Sequence, residues 1–172
     1  MLKNSSFLVI FFWNVLIAAL WHGLTLVIGQ RLPNSKFDES KECYAAKPWE
    51  RGGRWYRENL KIQSWKDRIP QHIGKGGFSK THLKNDSIEY LDEFILETCR
   101  GEWVHRKNCL CAIVMLLVNP LLVGLLTSLF VMIGNVPFAL VQRYNRFRLQ
   151  TLRKRRIREI ARAGMEQNAV TA

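Results

Sequence analysis

The chain has 172 residues, the length of one domain, and sets 26 Lys+Arg against 14 Asp+Glu for a formal net charge of +12. Such a charge calls for anionic partners, nucleic acid or a membrane surface. Two long uncharged apolar runs, residues 7–29 and 109–141, decide for the membrane, because about 20 apolar residues suffice to cross a bilayer core as helix. The four cysteines, Cys43, Cys99, Cys109 and Cys111, show neither a CxxC pair nor zinc spacing, so reduced thiols and no metal are expected.

Taken in order, residues 7–29 read as a transmembrane helix. They exceed the roughly 7–15 apolar residues of a signal-peptide core, and no small-x-small cleavage site follows, so a retained anchor is expected over a cleaved leader. Asn14 and His22 lie within this span, where helix–helix hydrogen bonding is their expected use. Gly29 and Pro33 are expected to break the helix, with Arg31 at the headgroups. Residues 30–108 form an interfacial or cytoplasmic segment. In it Trp49, Trp55, Tyr56 and Trp65 interleave with basic side chains, a pattern suited to the membrane interface and to an amphipathic helix lying flat over 54–66. "GKGGFSKT" at 74–81 lacks phosphate-loop spacing and reads as a flexible loop.

A helix is expected over 87–107, opened by Asp86 with Glu89 as a capping box. Its apolar stripe runs through Ile88, Leu91, Phe94, Ile95 and Cys99, and the next two steps land on Glu102 and His105. Residues 109–141 are too long for one perpendicular span. With break points at Asn119-Pro120 and Gly134–Pro137 they read as a helical hairpin in the membrane or a re-entrant pair. Residues 142–164 carry nine Arg/Lys and one acid and read as a basic amphipathic helix on anionic lipid, closed by Gly164, with a disordered tail over 165–172. The charge bias places the middle segment and the tail in the cytoplasm. The fold expected is an all-α integral membrane protein of one domain, with no nucleic-acid partner.

Chemistry concentrates in two places. Glu102 and His105 are neighbours on one helix face at the entry to the membrane, where a carboxylate beside an imidazole makes a general base for a hydroxyl group. Alternatively the pair is structural and ties the helix to a neighbour. A di-iron bundle would need a second E-x-x-H, which the chain lacks. Further on, Gln142, Arg143, Tyr144, Asn145 and Arg146 crowd the exit from the membrane; anchoring explains the arginines but not the other three.

The segments "GQRLP", "WERGGRWY", "WKDRIP", "ETCRGEWVH" and "NVPFALVQRYNRFRL" occur here in order and resemble the glycosyl-4,4'-diaponeurosporenoate acyltransferases of bacterial carotenoid synthesis. The resemblance covers most of residues 29–149 and excludes His22. It implies a membrane enzyme of the bacterial cell membrane that esterifies the sugar of a glycosylated C30 carotenoid acid, or another glycolipid, with a fatty acyl group, the last step of staphyloxanthin-type pigment synthesis. On that footing the expected partners are the glycosylated acceptor, anionic lipid and a fatty acyl thioester, acyl-CoA or an acyl carrier protein, with no further cofactor. His105 would be the base and Glu102 its orienting acid, with Arg100, Gln142, Arg143, Tyr144, Asn145 and Arg146 on substrate. No G-x-S-x-G elbow is present, and His82 with Asp86 has the wrong spacing for the H-x₄-D acyltransferase motif, so direct transfer is expected. A non-catalytic adaptor of the pigment pathway is the competing reading.

Overall fold

The computed structural model describes residues 6–69 and 87–171; the loop expected at 74–81, His82 and the cap Asp86 lie outside the described residues. All regular elements among the described residues are helical. The chain divides into two units, Met1–Lys36 with Arg100–Leu140 and Phe37–Cys99 with Val141–Ala172.

In the first unit, helix α1 spans Phe7–Arg31. It is apolar all round and mostly uncovered, with Phe7, Phe12 and Leu20 each more than 60% exposed. In a water-soluble helix such a surface would be buried. The helix ends where Leu32, ahead of Pro33, takes extended backbone (φ −64°, ψ 140°), as the clash with a proline ring requires. Gly29 does not break it. A Cβ there would stand 2.8 Å from Cγ2 of Val104, so the missing side chain admits the neighbouring helix. That neighbour is α3, Ile88–Cys109, which contributes residues 100–109 to this unit.

Helix α4, Cys111–Val118, follows almost without a break and stops at Asn119 (φ −102°, ψ 164°), extended before Pro120. Helix α5 starts at Leu121. The chain reverses here. Ser128 Oγ donates to the Ala112 carbonyl at 2.6 Å, and a Cβ on Gly124 would lie 3.1 Å from Cα of Leu116, so the two backbones nearly touch. Small residues at such a crossing let helices approach closely in an apolar medium. Cys111, Ala112, Met115 and Val131 form the core of this hairpin and pack on Ile17, Ala18 and Trp21 of α1. The tip is locked to α1 by a reciprocal amide pair: Asn14 Nδ2 donates to Asn119 Oδ1 at 2.9 Å, and Asn119 Nδ2 to Asn14 Oδ1 at 2.7 Å. Both amides also reach the carbonyl one turn back, Ile10 and Met115, so no buried polar atom of the pair is wasted.

The second break expected, at Gly134–Pro137, does not form: α5 runs from Leu121 to Thr171 with Pro137 inside it. One lost hydrogen bond at a proline costs less than opening several backbone groups among apolar neighbours. Nor does Gly164 close the helix, which carries on through residues expected to be disordered. A single interior glycine costs about 1 kcal/mol, and Ala161, Arg162, Ala163, Met165, Glu166 and Gln167 around it are good helix formers.

In the second unit, helix α2 covers only Arg54–Asn59. The flat helix expected over 54–66 is interrupted at Lys61 (φ 46°) and gives way to 3₁₀ turns at Ile62–Ser64 and Lys66–Arg68. Ser87 Oγ accepts the Tyr90 N–H at 3.3 Å and so caps α3. The stripe of α3 buries Leu91, Phe94 and Ile95 against Leu149 of α5, while Glu89, Asp92 and Glu93 stay exposed.

The Gly29 contact yields a test. Gly29→Ala forces a methyl against a stiff β-branched side chain, and overpacking of this kind costs about 1–3 kcal/mol. The thermal midpoint of detergent-solubilised protein should fall for Gly29→Ala and recover in the Gly29→Ala/Val104→Ala double variant; no drop, or no recovery, would contradict the packing described.

Candidate active site

The apolar layer of the first unit contains a chain of polar groups. His105 Nδ1 lies 3.2 Å from Asn135 Oδ1, and Asn135 Nδ2 lies 3.1 Å from His22 Nε2. Asn135 Nδ2 also donates to the Val131 carbonyl at 2.9 Å, which identifies it as the amino end of the side chain. His22 Nδ1 stands 2.8 Å from the Ala18 carbonyl. A carbonyl accepts only, so His22 carries its proton on Nδ1 and turns a lone pair towards Asn135. By the same logic Asn135 Oδ1 accepts from His105, whose proton sits on Nδ1 and whose lone pair in the neutral ring is on Nε2. Phe138 stacks on the His105 ring, centroids 5.0 Å apart and planes 23° apart, and holds its plane.

Consequently the two imidazoles are not equivalent. His105 can take a proton on Nε2 and keep its bond to Asn135, because an imidazolium still donates from Nδ1. His22 cannot be protonated on Nε2 without facing the Asn135 amino group, donor against donor. His105 therefore has the geometry of a base, and His22 that of a support.

Glu102 is buried on the same helix, with Oε1 3.5 Å from Nη1 of the exposed Arg106. Arg100 is turned to the end of α1: Nη1 donates to the Gly29 carbonyl at 2.6 Å and Nη2 to Asn34 Oδ1 at 2.7 Å. It satisfies carbonyls that a helix C-terminus leaves unpaired.

The remaining candidates, residues 142–146, belong to the second unit. Arg143 is buried and forks onto the fully buried Glu50, Nε to Oε1 and Nη2 to Oε2 at 2.7 Å each. Its other hydrogens go to the carbonyls of Tyr44 at 2.9 Å and Ala45 at 2.8 Å. Glu50 accepts in addition from the Tyr56 hydroxyl at 2.5 Å and the Lys47 N–H at 2.6 Å. Burial alone would raise the Glu50 pKa; the bonds from Arg143, Tyr56 and Lys47, with the charge of Arg143, outweigh it and hold the carboxyl below its ordinary value. Burial and the Glu50 carboxylate push Tyr56 the other way, well above a normal phenol. Arg146 is 1% exposed, donates to Cys99 Sγ at 2.9 Å and lies over the Tyr44 ring. Gln142 is half-buried, and Tyr144 lines a cavity. Asn145 is buried with neither amide atom hydrogen-bonded to a described residue.

Residues 40–155 match the family model described as glycosyl-4,4'-diaponeurosporenoate acyltransferase. Glycosyl-4,4'-diaponeurosporenoate acyltransferases of Staphylococcus aureus strains MRSA252, bovine RF122 and USA300 are each 30% identical over 127 residues, 73% of this chain and 76% of theirs. The chain belongs to this acyltransferase family. No solved structure matches it. The matched region contains Glu102, His105, Asn135 and the Glu50–Arg143 pair, while His22 precedes it. Reading the sequence of this family member by local spacing finds Glu102 and His105 but passes over Asn135 as a helix breaker. A polar residue inside an uncharged apolar run was the available signal, the same one that marks Asn14 and His22.

The Glu50–Arg143 pair sets an acid limit on folding. Its carboxyl titrates lower in the folded than in the unfolded chain, so the stabilisation is complete above the ordinary value of 4.5 and is lost as pH falls through the lower, folded one. Melting of solubilised protein should become steeply pH-dependent below about pH 4.5. Glu50→Gln leaves a buried guanidinium uncompensated at a cost of about 3–5 kcal/mol. It should lower the midpoint at neutral pH and flatten that acid slope; a slope unchanged in Glu50→Gln would remove Glu50 as its cause.

Proposed function

We propose that the protein transfers a fatty acyl group from a thioester to a sugar hydroxyl of a glycosylated C30 carotenoid acid, with His105 as general base. The observation that carries this reading is the tautomer imposed on His105 by Asn135. A neutral imidazole anchored through Nδ1–H to an amide oxygen is the state a base must be in before it acts. The hydroxyl oxygen attacks the thioester carbonyl carbon as its proton passes to Nε2 of His105. The tetrahedral intermediate then collapses, the C–S bond breaks, and the thiolate leaves with the proton that His105 returns. The products are an ester and a free thiol. Glu102, one turn earlier on the same helix, lowers the energy of the transient imidazolium. Both the acceptor and the reaction class follow the name of the relatives; the thioester donor, CoA-linked or carried by a protein, follows from the chemistry of a direct transfer.

The membrane placement supports an apolar substrate. On this reading α1 crosses the bilayer. The hairpin tip at Asn119 meets α1 at Asn14, fifteen residues from Gly29, a depth of ~22 Å against a core of ~30 Å. The hairpin is then re-entrant, with Leu117, Leu121 and Leu122 at its tip, 74%, 72% and 69% exposed, facing lipid. The arginine-rich end of α5 stays on the cytoplasmic side. A carotenoid acid lies in the lipid, and a base reached from the apolar layer meets its sugar at the boundary.

Co-expression with enzymes that make the glycosylated precursor, followed by mass spectrometry of the extracted pigment, tests this. His105→Ala should lower esterified product by about 10²–10⁴-fold at equal protein level, the usual contribution of a general base. Asn135→Leu should cost less, on the order of tenfold or more, by releasing the tautomer. Full acylation by His105→Ala would leave an adaptor as the better description.

A further inference from the structure

The second unit holds a cavity of about 420 Å³, within the range of small-molecule sites. Four arginines line it: Arg51, Arg54, Arg57 and Arg148. Arg51 is paired with Glu58 at 2.7 Å. Arg54, Arg57 and Arg148 make no hydrogen bond or ion pair with any described residue. They differ in this from Arg143, whose fork is filled by Glu50 and by backbone carbonyls. Tyr144 is only 5% exposed, lines the same cavity, and its hydroxyl has no hydrogen-bond partner among the described residues. Arg54, Arg57 and Arg148 are exposed, so an anion entering the opening from solvent would meet three guanidinium groups and Tyr144 together, through charge-assisted hydrogen bonds that none of them makes within the described residues.

The local backbone is built around this opening. Arg51, Gly52 and Gly53 are successively left-handed, at φ 49°, 65° and 89°. Only glycine adopts such conformations cheaply, so the non-glycine Arg51 is held there by its context. A Cβ on Gly53 would sit 3.0 Å from Cβ of Phe147, which seats the turn on α5, whereas a Cβ on Gly52 would meet nothing within 4 Å. The turn is thus packed at Gly53 and open at Gly52, and both glycines line the cavity together with the arginines.

We infer that this cavity binds the phosphates of the acyl donor, a nucleotide-bearing thioester whose diphosphate and ribose phosphate are received by Arg54, Arg57 and Arg148 with a hydrogen bond from Tyr144. The assignment rests on the acyl-transfer reading above and moves the donor's phosphates away from Arg100, Arg143 and Arg146, whose guanidinium groups serve the fold. It also selects a CoA-type donor over one that carries a single phosphodiester on a protein. Phospholipid headgroups share the phosphate chemistry, and the experiment separates the two.

Full-length protein in a neutral detergent is titrated with CoA, with adenosine 3',5'-bisphosphate and with dephospho-CoA. CoA and the bisphosphate should bind, dephospho-CoA should bind more weakly, and affinity should fall with salt. Arg54→Gln/Arg148→Gln should weaken both by tenfold or more, as expected when charge-assisted hydrogen bonds are lost. His105→Gln should bind them as the wild type does, so failure of the catalytic reading leaves this result intact. In a second arm, phenylglyoxal labelling of unmutated protein read by mass spectrometry should show Arg54, Arg57 and Arg148 protected by the bisphosphate, which does not depend on any variant folding. Nucleotide affinity unchanged in Arg54→Gln/Arg148→Gln, absence of protection, or protection by phosphatidylglycerol vesicles but not by nucleotide would overturn the proposal.

Discussion

Asn135 has one carbonyl oxygen and one amino group, and it spends them on two different imidazoles. In water such a bond would be worth little, because both partners would exchange it for solvent. In an apolar layer the alternatives are gone, so the direction of each hydrogen bond becomes binding. The Val131 carbonyl orients the amide, and the amide then orients both rings. What distinguishes His105 from His22 is therefore the polarity of one side chain lying between them. This difference in hydrogen bonding comes from the fold of the first unit rather than from either histidine's own neighbours in sequence.

A similar economy runs through the rest of that unit. Its helices are apolar on the outside, and within a bilayer hydrophobic burial would contribute little to holding them together. Close backbone approach at Gly29 and Gly124 and the Asn14–Asn119 amide pair take over that role. These are directional contacts, and direction is what the general base proposed for His105 would need from its scaffold.

Sequence periodicity made the helices legible, and it located the apolar face of α3 down to the intrusion of Glu102 and His105. The reversal at Asn119-Pro120 was also readable, since an extended residue before proline ends a helix with no help from tertiary structure. Pro137 and Gly164 were misleading because their penalties are small beside the cost of opening a long helix. The partners of His105 were not readable. Asn135 is 30 residues away and His22 lies 113 residues before Asn135, and no local pattern encodes such pairings. The same limit applies to the arginines. Arg143 and Arg148 look alike in "QRYNRFR"; only Glu50, 93 residues upstream, makes the first a structural residue.

That division among arginines carries a general point about this fold. A basic chain of this size could be read as uniformly attracted to anionic lipid, with each cation equivalent. The structure divides them by partner. Arg143 and Arg153 are neutralised by carboxylates, Arg143 by Glu50 and Arg153 by Glu39 and Asp92. Arg100 is spent on carbonyls at a helix end. Arg54, Arg57 and Arg148 have no hydrogen-bond or ion-pair partner among the described residues and line one cavity. All three are exposed, so water and salt moderate their mutual repulsion while the opening they surround stays electropositive. On the donor-site reading, a polyanion beside Tyr144 meets all three at once, whereas the guanidinium groups of Arg143 and Arg100 are already engaged by Glu50, Asn34 and backbone carbonyls.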